Sequence, residues 1–197
     1  MIPYHICVLG LMGAAFILQQ FVPAVGGLYD ARILLVPLVF LCSAVTVNVP
    51  PMLFLAFFCG FMWDAQHLLG SHGGAEDVYT NKVETMPFGY SIVLYAAMGF
   101  LMQGIQPLFR EGKWHVSALL TGVAIFCYLF AEYFIITFVR GDLVVTRSLA
   151  LKTGFSALLT MVFSPLVFWV LFKCAALFRY KVRYEGLKSR RRLIVSE

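Results

Sequence analysis

The feature that most constrains this chain is a series of apolar blocks, each about as long as a bilayer is thick, running almost unbroken to Phe178. Of its 197 residues, 61% are hydrophobic and only 13% charged. A soluble domain of this size has too little interior to hide that much apolar surface, so lipid is the solvent that suits it. In lipid, every unpaired backbone group is costly, which leaves helices or a closed barrel. The blocks are continuous rather than alternating in polarity. They predict an all-α fold, a polytopic transmembrane helical bundle over residues 1–178 with a basic tail over 179–197. Too little mass remains outside the membrane for a soluble catalytic domain.

About six spans are predicted. The first, 4–25, has no positively charged leader and no small-residue cleavage site, so it reads as a retained helix rather than a signal peptide. The second, 33–48, is short, at roughly 24 Å of helix rise. Asn48-Val49-Pro50-Pro51 is expected to stop it, because tandem prolines lack donors and push the residues before them into extended backbone. The third span is 52–66, and a polar, glycine-containing segment follows over 67–87. The remaining spans are 88–109, 114–139 and 153–177, the last with Pro165 in its middle.

The tail carries Arg179, Lys181, Arg183, Lys188, Arg190, Arg191 and Arg192 against Glu185 and Glu197. The positive-inside rule places such a segment in the cytoplasm, and an even number of spans places the N-terminus there too. The tail suits contact with lipid headgroups; a nucleic-acid partner is not expected. Cys7, Cys42, Cys59, Cys127 and Cys174 all fall within predicted spans with no paired spacing. They read as small packing residues, with no disulfide framework implied.

Two acids lie inside apolar blocks, where charge is expensive and therefore informative. Asp64 shares a helix stripe with Ala56 and Gly60, at intervals of four. Small residues there allow close helix contact and turn the acid toward the bundle. Glu132 lies deep in the fifth span with Tyr128 and Tyr133 nearby. A structural polar contact is the favoured role for both acids, ahead of a proton or ion relay. His67, His72, Glu76 and Asp77 match no strong metal-ligand spacing. Ser-His-Asp order, G-x-S-x-G, H-E-x-x-H and a Walker loop are all missing, so neither catalysis nor a cofactor is expected. Span four has its own stripe, Ser91, Tyr95 and Gly99, and the two stripes are candidates either for a partner or for packing spans three and four together. The outer mouth over 64–90 is the favoured partner surface, with Phe88 and Tyr90 as aromatic anchors. The competing class is a small membrane transporter or substrate-binding subunit. Its polar liners would be the sparse set Gln19, Gln20, Asp64, Gln103 and Glu132.

Gly60-Phe61-Met62-Trp63-Asp64, then a polar loop, then Pro87-Phe88-Gly89-Tyr90 opening the next span, resembles the rod-shape-determining MreD family. The resemblance continues through Ala131-Glu132-Tyr133 in the fifth span and Pro165 in the sixth, covering approximately residues 30–178. The loop before Gly89 is longer than the family's pattern, and the tail is longer and more basic, so nothing is carried over to residues 66–86. The resemblance implies a non-catalytic scaffold of the bacterial inner membrane that belongs to the cell-elongation machinery and holds no cofactor. It implies an MreC-like single-span partner, with RodA and its partner transpeptidase, RodZ and the actin-like MreB filament as further members. The implied role is support of cell shape and regulation of peptidoglycan synthesis. The implied fold is similar to the substrate-binding subunits of energy-coupling-factor vitamin transporters, an analogy that transfers no ligand.

Overall fold

The computed structural model describes residues 2–29, 31–70, 87–111, 114–140 and 147–180. Six α-helices follow one another: α1 (Ile2–Phe21), α2 (Leu35–Thr46), α3 (Val49–Gly70), α4 (Tyr90–Ile105), α5 (Trp114–Arg140) and α6 (Arg147–Leu177). The one β feature among the described residues is an isolated bridge between Val25 and Ala31, in the connection from α1 to α2. The chain is an all-α bundle. Among the described residues four helical stretches, α1, α4 continued to Leu108, α5 and α6, are long and apolar enough to cross a membrane.

The six helices are not six equal spans. α2 has 12 residues, a rise of roughly 18 Å against the roughly 30 Å of a hydrocarbon core. Its position explains how so short a helix survives. Val36 through Thr46 are all buried, and α2 packs against every other helix of the bundle. A helix apolar on all sides belongs in an interior, and here protein rather than lipid supplies the surroundings.

The tandem prolines act differently from the expectation. α2 ends at Thr46, and Val47, at ψ 163°, is the extended residue. Val49, Pro50 and Pro51 then form the first turn of α3. The Met52 N–H reaches the Asn48 carbonyl at 3.0 Å, closing that turn. First-turn N–H groups have no partner within their own helix, so a proline there forfeits nothing and its fixed φ suits the helix. The same chemistry that forbids proline inside a helix permits it at the start, so Pro50-Pro51 begins α3.

A buried helix must satisfy the carbonyls and N–H groups at its two ends. Around α2 the longer helices do this with side chains. At its start, Gln19 of α1 accepts from the Leu35 N–H at 2.6 Å and donates to the Ile33 carbonyl at 2.9 Å. Thr160 and Ser156 of α6 accept from the Leu34 and Arg32 N–H groups. At its finish, Gln103 of α4 donates to the carbonyls of Ala44 at 2.6 Å and Val47 at 2.7 Å. Gln106, in the 3-10 turn after α4, donates to Val45 at 2.6 Å, and the Tyr4 hydroxyl donates to Thr46 Oγ1 at 2.8 Å. These contacts also orient the bundle. The start of α1, the finish of α2 and the finish of α4 share one end, here the terminal end. The finish of α3 and the start of α4 share the opposite end.

Candidate functional site

At the opposite end, α3 finishes against the start of α4. Gly60 makes the approach possible: a Cβ built on it would lie 2.5 Å from the Ile92 backbone nitrogen and 2.8 Å from Ile92 Cγ1. Ala56 and Gly60 are buried, and the α3 stripe is therefore engaged inside the molecule, against α4. Gly99, on the matching α4 stripe, faces Met52 of α3 and Phe40 of α2. Of the two uses open to these stripes, packing of the third helix against the fourth is the one the structure has.

One turn beyond Gly60, Asp64 is 5% exposed. Its Oδ2 accepts the Gly89 N–H at 2.7 Å. Gly89 precedes α4 with φ +95°, a conformation that a side chain resists and glycine adopts freely. A carboxylate at this point faces the positive dipole end of α4. Asp64, six residues before the end of α3, thus ties that helix to the start of the next across 25 positions of sequence.

Glu132 is partly buried. The Trp63 indole hydrogen-bonds to it, and Asp64 is an electrostatic neighbour. Tyr128, one turn earlier on α5, is 1% exposed and points into the bundle, its ring 5.2 Å from that of Tyr95. Tyr133 is half-buried. The Ser91 hydroxyl is buried without a hydrogen-bond partner among the described residues, and the buried Tyr95 and Tyr128 hydroxyls are neighbours. Asp64, Trp63, Ser91, Tyr95, Tyr128 and Glu132 therefore make one polar region drawn from α3, α4 and α5.

Outside that region lies an aromatic surface. Phe88 and Tyr90 are 53% and 46% exposed. Phe88 meets Phe61 edge-on at 5.8 Å, and Phe61 stacks on Phe57 at 6.1 Å. Pro165 lies within α6, half-buried beside the fully buried Ser164. Arg179 is exposed in the turn after α6, whereas Lys181, Arg183, Arg190, Arg191 and Arg192 lie outside the described residues, as do His72, Glu76 and Asp77.

Of the five proposed cavity liners, Asp64 and Glu132 come together and the three glutamines stand apart from them. Gln19 and Gln103 hold the ends of α2, Asp64 caps α4, Gln20 is exposed, and Glu132 is with Trp63. Among the described residues no group of three or more His, Cys, Asp or Glu is placed to hold a metal ion. Three features were missed in sequence. Gln106 caps α2 alongside Gln103. Lys173 is a basic residue inside the last span, its Nζ 5.7 Å from the centre of the exposed Trp169 ring. Cys7 meets Cys174. Only Lys173 carried a readable signal, the i, i+4 spacing from Trp169. No family model, curated protein or solved structure matches this chain.

Proposed function

We propose that the protein is a non-catalytic scaffold of the bacterial inner membrane, of the MreD type, with both termini in the cytoplasm. The observation that carries this reading is the Asp64–Gly89 hydrogen bond. The motif resemblance consists of a G-x-x-x-D helix end followed by a glycine that opens the next span, and here those two parts are physically joined. Gly60 sets the helix contact, Asp64 supplies the cap and Gly89 receives it. A motif used this way builds the mouth of the bundle. The exposed Phe88 and Tyr90 beside it suit contact with a hydrophobic helix of an MreC-like single-span protein, whose periplasmic domain would stand above the mouth. RodA, its partner transpeptidase, RodZ and MreB follow as more distant members of the assembly. The engagement of Gln19 and Gln103 as helix caps supports the scaffold over a transporter, because a solute cavity needs those polar groups free.

The test is photo-crosslinking in native bacterial membranes. A photoreactive residue at position 88 or 90 should trap a single-span protein with a periplasmic domain, and one at exposed Phe126 on α5 should not. Crosslinks to lipid alone from 88 and 90 would remove the reading. A reporter fused after residue 197 should be active only in the cytoplasm.

A further inference from the structure

Of the five cysteines, Cys42 and Cys59 are buried and Cys127 is exposed on α5. Cys7 and Cys174 differ from these in having each other: their sulfurs lie 3.1 Å apart, across 167 positions of sequence. Both are half-buried. Cys7 is in the second turn of α1, and Cys174 is in the last turn of α6. By helix rise each lies within roughly 8 Å of its helix end, at the boundary of the bundle rather than its centre.

The surroundings already clasp the two helices. Tyr4 stacks on Tyr180 with ring centres 4.3 Å apart, and His5 meets the same ring edge-on at 5.7 Å. The Tyr180 N–H returns to the Ala175 carbonyl at 2.8 Å, folding the chain after α6 back beside α1. The sulfurs are therefore held together by the fold, and side-chain rotation of roughly 1 Å brings them to bonding distance.

We propose that Cys7 and Cys174 form a modification site, a dithiol that a small uncharged hydroperoxide converts into a disulfide between the first and last helices. With hydrogen peroxide, one sulfur attacks the peroxide, an S–O bond forms as the O–O bond breaks, and the displaced oxygen leaves as water with the thiol proton. The second sulfur then attacks the sulfenic sulfur. The S–S bond forms, the S–O bond breaks, and the hydroxyl leaves as water with the second proton. Two thiols give up two electrons and two protons, and one peroxide becomes two waters. A thiol reductant reverses the bond by exchange. Cys42, by contrast, has hydroxyls beside it, with Ser164 Oγ at 4.0 Å. Closure fixes the root of the basic tail beside the start of α1.

The experiment uses the full chain in membranes, treated with hydrogen peroxide, then denatured and labelled with a maleimide polymer under non-reducing conditions. The expected result is a fall from five labelled thiols to three, with peptide mapping locating one Cys7–Cys174 crosslink, and recovery of all five after reduction. Cys7→Ser and Cys174→Ser should each keep all four remaining thiols at the same peroxide dose. If either serine variant fails to accumulate, peptide mapping of the unaltered chain decides alone. Oxidation stopping at sulfenic or sulfinic acid on one cysteine, a crosslink through Cys127 between copies, or retention of all five thiols would each overturn the proposal.

Discussion

Replacing Gly60 by alanine tests the contact on which the mouth is built. The added Cβ would lie 2.5 Å from the Ile92 backbone nitrogen, where ordinary contact begins at 3.4 Å. Backbone cannot rotate out of the way, so α3 and α4 must part by about 1 Å, and a gap of that size forfeits a quarter to a half of each contact's attraction along the seam. The overpacking alone costs about 2 kcal/mol. The Asp64–Gly89 bond, one turn away at 2.7 Å, would stretch beyond hydrogen-bonding distance and lose about 1 kcal/mol more. A total of about 3 kcal/mol corresponds to a drop of roughly 6–12 °C in melting temperature for a chain of this size. The controls are Gly10→Ala and Gly104→Ala, whose added Cβ atoms meet nothing within 4 Å; alanine's better helix propensity should leave them unchanged or slightly more stable. Gly99→Ala falls between, since its neighbours are the mobile end of Met52 and the Phe40 ring. The assay is thermal unfolding of detergent-purified protein followed by fluorescence-detected gel filtration. If Gly60→Ala melts with Gly10→Ala, the close approach is not the constraint claimed.

Gln103→Leu should cost about 2 kcal/mol, because it leaves the carbonyls of Ala44 and Val47 unpaired inside the bundle; unfolding in mixed micelles measures it, and a loss below that of Gln20→Leu on the exposed face would contradict the capping role. Asp64→Asn keeps an oxygen for the Gly89 N–H but loses the charge at the α4 dipole, so it should cost about 1 kcal/mol, with Asp64→Leu costing more. Equal melting temperatures for those two variants would show that the hydrogen bond contributes nothing.

What was legible in the sequence was what run length measures directly. A block of twenty apolar residues reports its solvent, and α1, α4, α5 and α6 follow from it. The lone acids were legible as inward-facing features, since lipid excludes them. The ends of α2 were not. Pro50-Pro51 suits both the end of one helix and the first turn of another, and only the Asn48–Met52 turn decides between them. Gln19 and Gln103 read equally as cavity liners and as caps, because a side-chain amide serves either use. The choice depends on where a short helix stops in three dimensions. Cys7 and Cys174 lie too far apart in the chain for spacing to pair them.

The capping side chains of this bundle and the aromatics at its mouth form two populations, and the division predicts how substitutions should sort. Gln19, Gln103, Gln106, Ser156, Thr160 and Tyr4 all bond to α2 or its flanks. Their loss destabilises the fold and so lowers the amount of protein in the membrane. Phe88 and Tyr90 are half-exposed at the mouth, and removing an exposed side chain typically changes stability by about 0.5 kcal/mol. Phe88→Ala with Tyr90→Ala should therefore accumulate to the level of the unaltered chain and melt within a few degrees of it, while losing a partner crosslink made from the neighbouring Val93, which is 69% exposed. If the double variant instead disappears from the membrane, Phe88 and Tyr90 belong to the fold rather than to a docking surface. If it accumulates and keeps its crosslinks, the partner lies elsewhere on the bundle.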